Sequence, residues 1–167
     1  REVIDEGVRV LAALQPELDL EWFDLGAEKY LAEGVTMPDG LMDRWRDEFD
    51  CIYLGALGDP RVPNNVHAVD ILLGARFQLD LYINLRPIKL LDARYCPLKD
   101  KGPSDIDIMV FRENTEGLYT GIGGQFKRGT ADEVAIEAEM NSRKGVERII
   151  RAAFEYADRH GKKRVCM

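Results

Sequence analysis

An apolar run that stops against charge sets the frame for this chain. Ile106, Ile108, Val110 and Phe111 lie in a short segment of strand character, IDIMVF, and the sequence then turns to Arg112-Glu113-Asn114. Charged and amide side chains at the carboxyl end of a buried strand are where an open α/β sheet places its ligand. Gly117 permits a bend, and Tyr119 follows two residues later. The stretch Phe111 to Gly121, FRENTEGLYTG, is therefore read as the heart of a site holding both Arg112 and Tyr119.

The elements around it alternate. Residues 2–14 place Val3, Val8, Val10, Leu11 and Leu14 at helical spacing, and Gln15-Pro16 ends that helix. Residues 18–24 alternate like a strand, with Leu18, Leu20 and Trp22 on one face. Two short helices are expected over 26–34 and 40–49, and a short apolar strand over 50–54. Residues 61–65 are loop, with Asn64 or Asn65 as N-cap of a helix over about 66–78. Strands are expected over 81–91, bent at Pro87, and over 104–112. Residues 120–126 and 133–139 read as two exposed strands joined by a polar turn at 127–132. The clearest helix spans 142–160: Val146, Ile149, Ile150, Ala153, Phe154 and Ala157 form its apolar stripe, and Gly161 closes it. A further strand begins at Val165. Helices alternating with strands predict an α/β architecture with some parallel sheet. The chain opens inside a helical pattern and stops at the start of a strand, so it reads as cut at both ends.

Totals exclude several classes of function. With 23 basic and 30 acidic residues in 167, the net charge is −7. The basic residues are interleaved with acids, which argues against a nucleic-acid surface. No apolar run approaches the ~20 residues that span a bilayer. No leader pattern opens the chain, so no membrane partner and a cytoplasmic location are expected. Cys51, Cys96 and Cys166 are far apart and odd in number, giving neither a disulfide framework nor a metal-binding spacing. His67 and His160 are distant from each other and read as ordinary polar residues.

Arginines remain as candidates for holding a small anion. Arg76 follows Leu72 and Leu73 by four and three residues, so a helix puts all three on one face. Arg86 lies ten residues later in Asn84-Leu85-Arg86-Pro87, and Arg112 ends the next strand. Guanidinium groups match carboxylates in a forked geometry, so three arginines at the ends of successive elements suit a dianionic ligand. The same spacing also fits arginines that only solvate a face, and Tyr119 alone fits a packing residue. The residues by themselves reach an α/β protein with an anion site.

The set LLGAR, NLRP and FRENTEGLY, in this order and spacing, resembles the β-decarboxylating 2-hydroxyacid dehydrogenases: the isopropylmalate, isocitrate, homoisocitrate and tartrate/D-malate dehydrogenases. The resemblance runs through nearly the whole chain. It implies an isopropylmalate/isocitrate dehydrogenase-like α/β fold, incomplete at both ends, with 1–81 part of the first domain and 82–167 part of the second. A strand pair at about 120–139 would clasp a partner subunit, implying a homodimer with shared active sites. Arg76, Arg86 and Arg112 would clamp the substrate carboxylates, Tyr119 would assist proton transfer, and Glu113 and Asn114 would support them. Leu72 and Leu73 fall where the family reads the variable substrate group, and Gly58 and Val69 are implied as cofactor contacts.

The implied reaction is oxidative decarboxylation of a (2R)-hydroxy dicarboxylate by NAD, or NADP, with Mg²⁺ or Mn²⁺. No metal ligand of the family falls in this chain; the catalytic lysine and metal-binding aspartates would lie beyond Met167, so the 167 residues alone are expected to be inactive. Asp70 and Leu72 stand where isocitrate enzymes meet a third carboxylate with serine and asparagine, which disfavours isocitrate. Val69 stands where isopropylmalate enzymes typically carry glutamate, and the 122–140 region is similar to the tartrate/D-malate branch. The alternative is a catalytically silent binding or assembly subunit of the same fold.

Overall fold

The computed structural model describes residues 2–167, and these fall into two compact units that divide between Leu79 and Asp80.

The first unit is helical. α1 (Glu2–Leu14), α2 (Ala27–Glu33) and α3 (Leu41–Asp47) are followed by a helix that runs from α4 (Val66–Ala68) through a π turn (Val69–Leu73) to α5 (Gly74–Gln78). Its core joins Leu41, Met42 and Trp45 of α3 to Ile71 and Ala75, with Phe23, Leu25 and Phe49 packed against them. Phe23 meets Trp45 edge-on at 5.9 Å and Phe49 at 5.5 Å. Arg44 covers both of these rings while pairing with Glu21 and Glu48.

This core corrects the reading of residues 18–24. No strand forms there; the face shared by Leu18, Leu20 and Trp22 is exposed, and Phe23 packs against the core instead. Residues 50–54 and the segment at Val165 also form no strand; among the described residues no strand pairs with them. Asn65 occupies the N-cap position of α4 without capping it. Its φ is 49°, and its Oδ1 instead accepts the Asp59 N–H at 3.1 Å.

The second unit is a β ribbon carrying a helix. β1 (Ile83–Lys89) pairs antiparallel with β2 (Asp107–Glu113), and β3 (Gly123–Phe126) pairs antiparallel with β4 (Val134–Glu137). The described strands contain no parallel pair, contrary to the expected parallel sheet. Pro87 does not interrupt β1; it lies opposite Met109 within a continuous register. Leu90 N–H donates to the Ile106 carbonyl at 3.3 Å, so the even-numbered residues of β1 carry the ladder bonds. Pro87 therefore falls at a position whose N–H would face away from β2, and its missing donor costs the ladder nothing.

α6 (Arg143–Arg159) starts at Ser142, whose Oγ accepts the Gly145 N–H at 3.0 Å. It ends where Gly161 adopts φ 61° and Lys162 N–H returns to the Ala157 carbonyl at 2.8 Å. Gly145, Ala152 and Ala157 are its buried residues, and Tyr156 meets Phe111 of β2 at 5.2 Å. The predicted stripe is thus split, because Val146 and Phe154 are exposed. Among the described residues no helix is long and apolar enough to cross a membrane.

Candidate active site

Register decides which side chains of the ribbon share a face. Asn84 lies opposite Arg112 and Arg86 opposite Val110. Directly opposed residues and residues two apart point the same way, so Asn84, Arg86, Val110 and Arg112 leave one face together. Leu85, Met109, Phe111 and Glu113 leave the other, the face that Phe111 shares with Tyr156 of α6. Arg86 and Arg112 are diagonal neighbours, roughly 7–8 Å apart for such a pair.

Tyr119 joins this open face. Gly117, at φ 74°, turns the chain after β2, and a short helical turn, Leu118–Thr120, follows. Arg112 Nη2 donates to the Tyr119 hydroxyl at 2.5 Å, and its guanidinium carbon lies 4.9 Å from the ring centroid. The structure therefore brings together the two residues that the sequence placed in one site. The contact holds the phenol ring beside a guanidinium group on the open face.

A hydrogen-bond chain fixes Arg86. Its Nε donates to Asn84 Oδ1 at 2.9 Å, Asn84 Nδ2 donates to Asn114 Oδ1 at 3.3 Å, and Asn114 Nδ2 donates to the Leu81 carbonyl at 3.2 Å. Asn114 is buried, so its amide is satisfied within the protein, as a buried polar group must be. Asn84 was not singled out as a site residue. Its signal was its place two residues before Arg86 on an exposed strand, which puts both on one face.

Glu113 faces the other way, and its carboxylate takes four donors. It accepts from Thr115 N–H at 2.7 Å, Thr115 Oγ at 2.8 Å, Glu116 N–H at 2.8 Å and Arg148 Nη2 at 2.8 Å. Burial pushes this carboxyl up, but the Arg148, Thr115 and Glu116 donors outweigh it and hold the group below its ordinary value.

In the first unit, Leu72, Leu73 and Arg76 are all half-buried along the helix from Val66 to Gln78. The π turn over Val69–Leu73 was invisible to a 3.6-residue period; such turns re-phase a helix and gather at functional sites. The Asp70 carboxylate accepts the Thr36 hydroxyl at 2.6 Å. His67, read as an ordinary polar residue, is fully buried, and neither ring nitrogen has a hydrogen-bond partner among the described residues. Val69 is exposed, and Gly58 has φ 154° with nothing nearer than 4.0 Å to an added Cβ. Among the described residues no three His, Cys, Asp or Glu side chains come together as a metal site, so no metal step is assigned to this chain's own groups.

The isocitrate/isopropylmalate dehydrogenase family profile matches residues 1–167. The chain is 44% identical over 166 residues to a 3-isopropylmalate dehydrogenase of Frankia casuarinae, covering 99% of this chain and 48% of that protein. It is 47% identical over 161 residues to a 3-isopropylmalate dehydrogenase of Mycobacterium avium, covering 96% and 47%. The isocitrate dehydrogenase structure from Methylococcus capsulatus is similar at a TM-score of 0.67 and 29% identity, covering 96% of this chain and 45% of its own. The chain spans about half the length of the curated relatives it matches.

Proposed function

Because the chain belongs to the isocitrate/isopropylmalate dehydrogenase family, we propose that the whole protein oxidatively decarboxylates a (2R)-hydroxy dicarboxylate, with 3-isopropylmalate as first choice. The single observation that carries this reading is the Arg112–Tyr119 contact on a face that also presents Arg86. A carboxylate grip beside a phenol is what such a reaction needs from this half of a site. Leu72 and Leu73, half-buried and apolar, suit an alkyl substituent, and the names of the similar curated proteins point the same way. Asp70, an anion already engaged by Thr36, is unsuited to a third carboxylate.

NAD or NADP, when bound, would supply a hydride acceptor, and Mg²⁺ or Mn²⁺ would supply Lewis-acid polarisation. This chain's residues do the rest of what is assigned here. Arg86 and Arg112, which share the open face of the ribbon, hold and orient substrate carboxylate through charge-assisted hydrogen bonds. Tyr119 delivers a proton to the carbon that has lost carbon dioxide, acting as general acid at its hydroxyl. Asn84 and Asn114 keep Arg86 aimed. The 167 residues alone are expected to give no turnover.

We also propose a homodimer joined through β3 and β4. All eight residues of that pair are exposed, including Phe126, Val134 and Ile136, and a two-stranded hairpin is marginal in water without a covering surface.

The test is the whole protein with 3-isopropylmalate, D-malate, tartrate or isocitrate, NAD or NADP, and Mn²⁺. Reduced nicotinamide should appear fastest with 3-isopropylmalate. Faster turnover of D-malate or tartrate would move the substrate to that branch. Binding without turnover of any of the four would establish the silent assembly subunit instead.

A further inference from the structure

We propose that Arg148 of α6 is a positioning residue for the Arg112–Tyr119 pair, acting through Glu113 from the opposite face of the ribbon. The inference rests on the functional reading above and adds a residue which that reading does not use.

Adjacent residues of β2 point to opposite faces, so Arg112 and Glu113 share a peptide bond but not an environment. Whatever fixes Glu113 fixes the direction in which Arg112 leaves the strand. Arg148 does this with both arms of its guanidinium. Nη2 donates to Glu113 Oε1 at 2.8 Å and to Thr115 Oγ at 2.6 Å. Nη1 donates to both oxygens of Asp80, at 2.9 and 3.0 Å. The guanidinium carbon also lies 4.4 Å from the centroid of the Tyr82 ring. Asp80 and Tyr82 lead into β1, while Glu113 and Thr115 leave β2. One side chain therefore ties the entry of one strand to the exit of the other, at the end of the ribbon where Asn84 pairs with Arg112.

The clamp is well sheltered: the Arg148 and Glu113 side chains are 16% and 15% exposed. Arg148 Nε is buried with no hydrogen-bond partner among the described residues, an arrangement that stability alone does not favour. Beyond Thr115 the turn is held a second time. Glu116 accepts from Ser142 N–H at 2.7 Å and Ser142 Oγ at 2.5 Å, and Gly117 N–H donates to the Met140 carbonyl at 2.8 Å. Tyr119 follows directly from this anchored turn, so its hydroxyl meets Arg112 only while the turn keeps its place. A lysine at 148 retains the charge but not the fork, and cannot serve Asp80, Glu113 and Thr115 together.

The experiment uses the whole protein and compares Arg148→Lys, Thr115→Val and Ala157→Gly. Ala157 is a buried α6 residue more than two turns beyond Arg148, and Ala157→Gly serves as a stability control. Thr115→Val is nearly isosteric and keeps the test open if Arg148→Lys does not fold. Two readouts are taken: kcat and KM across pH, and the ¹⁹F resonance of Tyr119 in protein labelled with 3-fluorotyrosine, assigned with Tyr119→Phe. We expect Arg148→Lys to lower kcat about tenfold or more, Thr115→Val severalfold, both with an altered pH profile and a shifted Tyr119 resonance. Ala157→Gly should lower the melting temperature without moving either readout. Arg148→Lys and Thr115→Val proteins that keep the parental pH profile and resonance would overturn the proposal, as would the same changes in Ala157→Gly. Loss of turnover in the parental protein would instead defeat the functional reading, and the ¹⁹F comparison would still decide this one.

Discussion

Replacing Gly145 by alanine should destabilise the start of α6, although the same exchange in an ordinary helix stabilises it. A Cβ at 145 would lie 2.5 Å from Glu116 Cδ and 2.7 Å from its Oε1. The carboxylate has to leave, and with it go its hydrogen bonds from Ser142 N–H at 2.7 Å and Ser142 Oγ at 2.5 Å. Bonds to a charged acceptor are worth about 1.5–3 kcal/mol each when buried. Glu116 and Ser142 are only half-buried, so their joint loss is taken as roughly 2–3 kcal/mol. The gain in helix propensity returns about 1 kcal/mol. The net is a loss of about 1–2 kcal/mol, or a 5–30-fold rise in the open population. Native-state hydrogen exchange at the Ser142 amide reads this locally, without requiring both units to unfold together. In a Glu116→Ala background the clash is absent, and Gly145→Ala should then slow exchange, giving a coupling of roughly 2–3 kcal/mol across the cycle. Slower Ser142 exchange on Gly145→Ala in the parental protein would refute the reasoning.

Tyr119→Phe in the whole protein should lower kcat by about 10²–10⁴ while leaving KM within about twofold, as loss of a general acid does; steady-state kinetics with the best substrate of the panel checks it. Glu113, whose carboxyl is held below its ordinary 4.5, contributes stability that is full above that value and is lost as pH falls through its lower folded value. Urea midpoints of parental and Glu113→Gln proteins should therefore differ by a constant amount from neutral pH down to about 5 and converge at more acid pH. Ile136→Asp places a charge on an exposed apolar strand residue and should turn the proposed dimer into monomers in sedimentation velocity, with the monomer's far-UV circular dichroism preserved.

How much of this was legible in the sequence differs from residue to residue. α6 could be read because Ser142 and Gly161 mark its ends chemically, as an N-cap and a left-handed closure. The Arg112–Tyr119 pair could be read because Gly117 lies between them and a glycine bend returns the chain on itself. The inward place of Phe23 was not legible, because alternation gives two faces and nothing in LDLEWFD says which is inward; tertiary partners, Trp45 and Phe49, decide that. Residues 50–54 have strand composition but no pairing partner among the described residues, and a strand is a property of a pair. Arg148 was passed over because charges on an amphipathic helix are read as its solvated side. Its place was nonetheless marked: it lies three residues after Gly145 and four before Ala152, both buried, so it shares their face.

The pairing of Arg112 with Glu113 explains why charge is concentrated at the end of β2. A substrate-binding arginine on an exposed ribbon would lose orientational freedom on binding, a cost of order 1–2 kcal/mol for so long a side chain. The ribbon reduces that cost by making the next residue an anchor on the opposite face. Glu113 takes four donors from α6 and its own turn, while Arg112 keeps its guanidinium against Tyr119. The two-residue alternation of a strand is what lets neighbours divide these tasks. It also makes the arrangement sensitive to register, because a one-residue slip of β2 would turn Glu113 toward the open face and Arg112 toward α6. The Arg148 clamp opposes such a slip, since it grips Asp80 before β1 and Thr115 after β2 at once. Fixing the register and aiming the arginine are thus one physical task, performed from the face opposite Arg112.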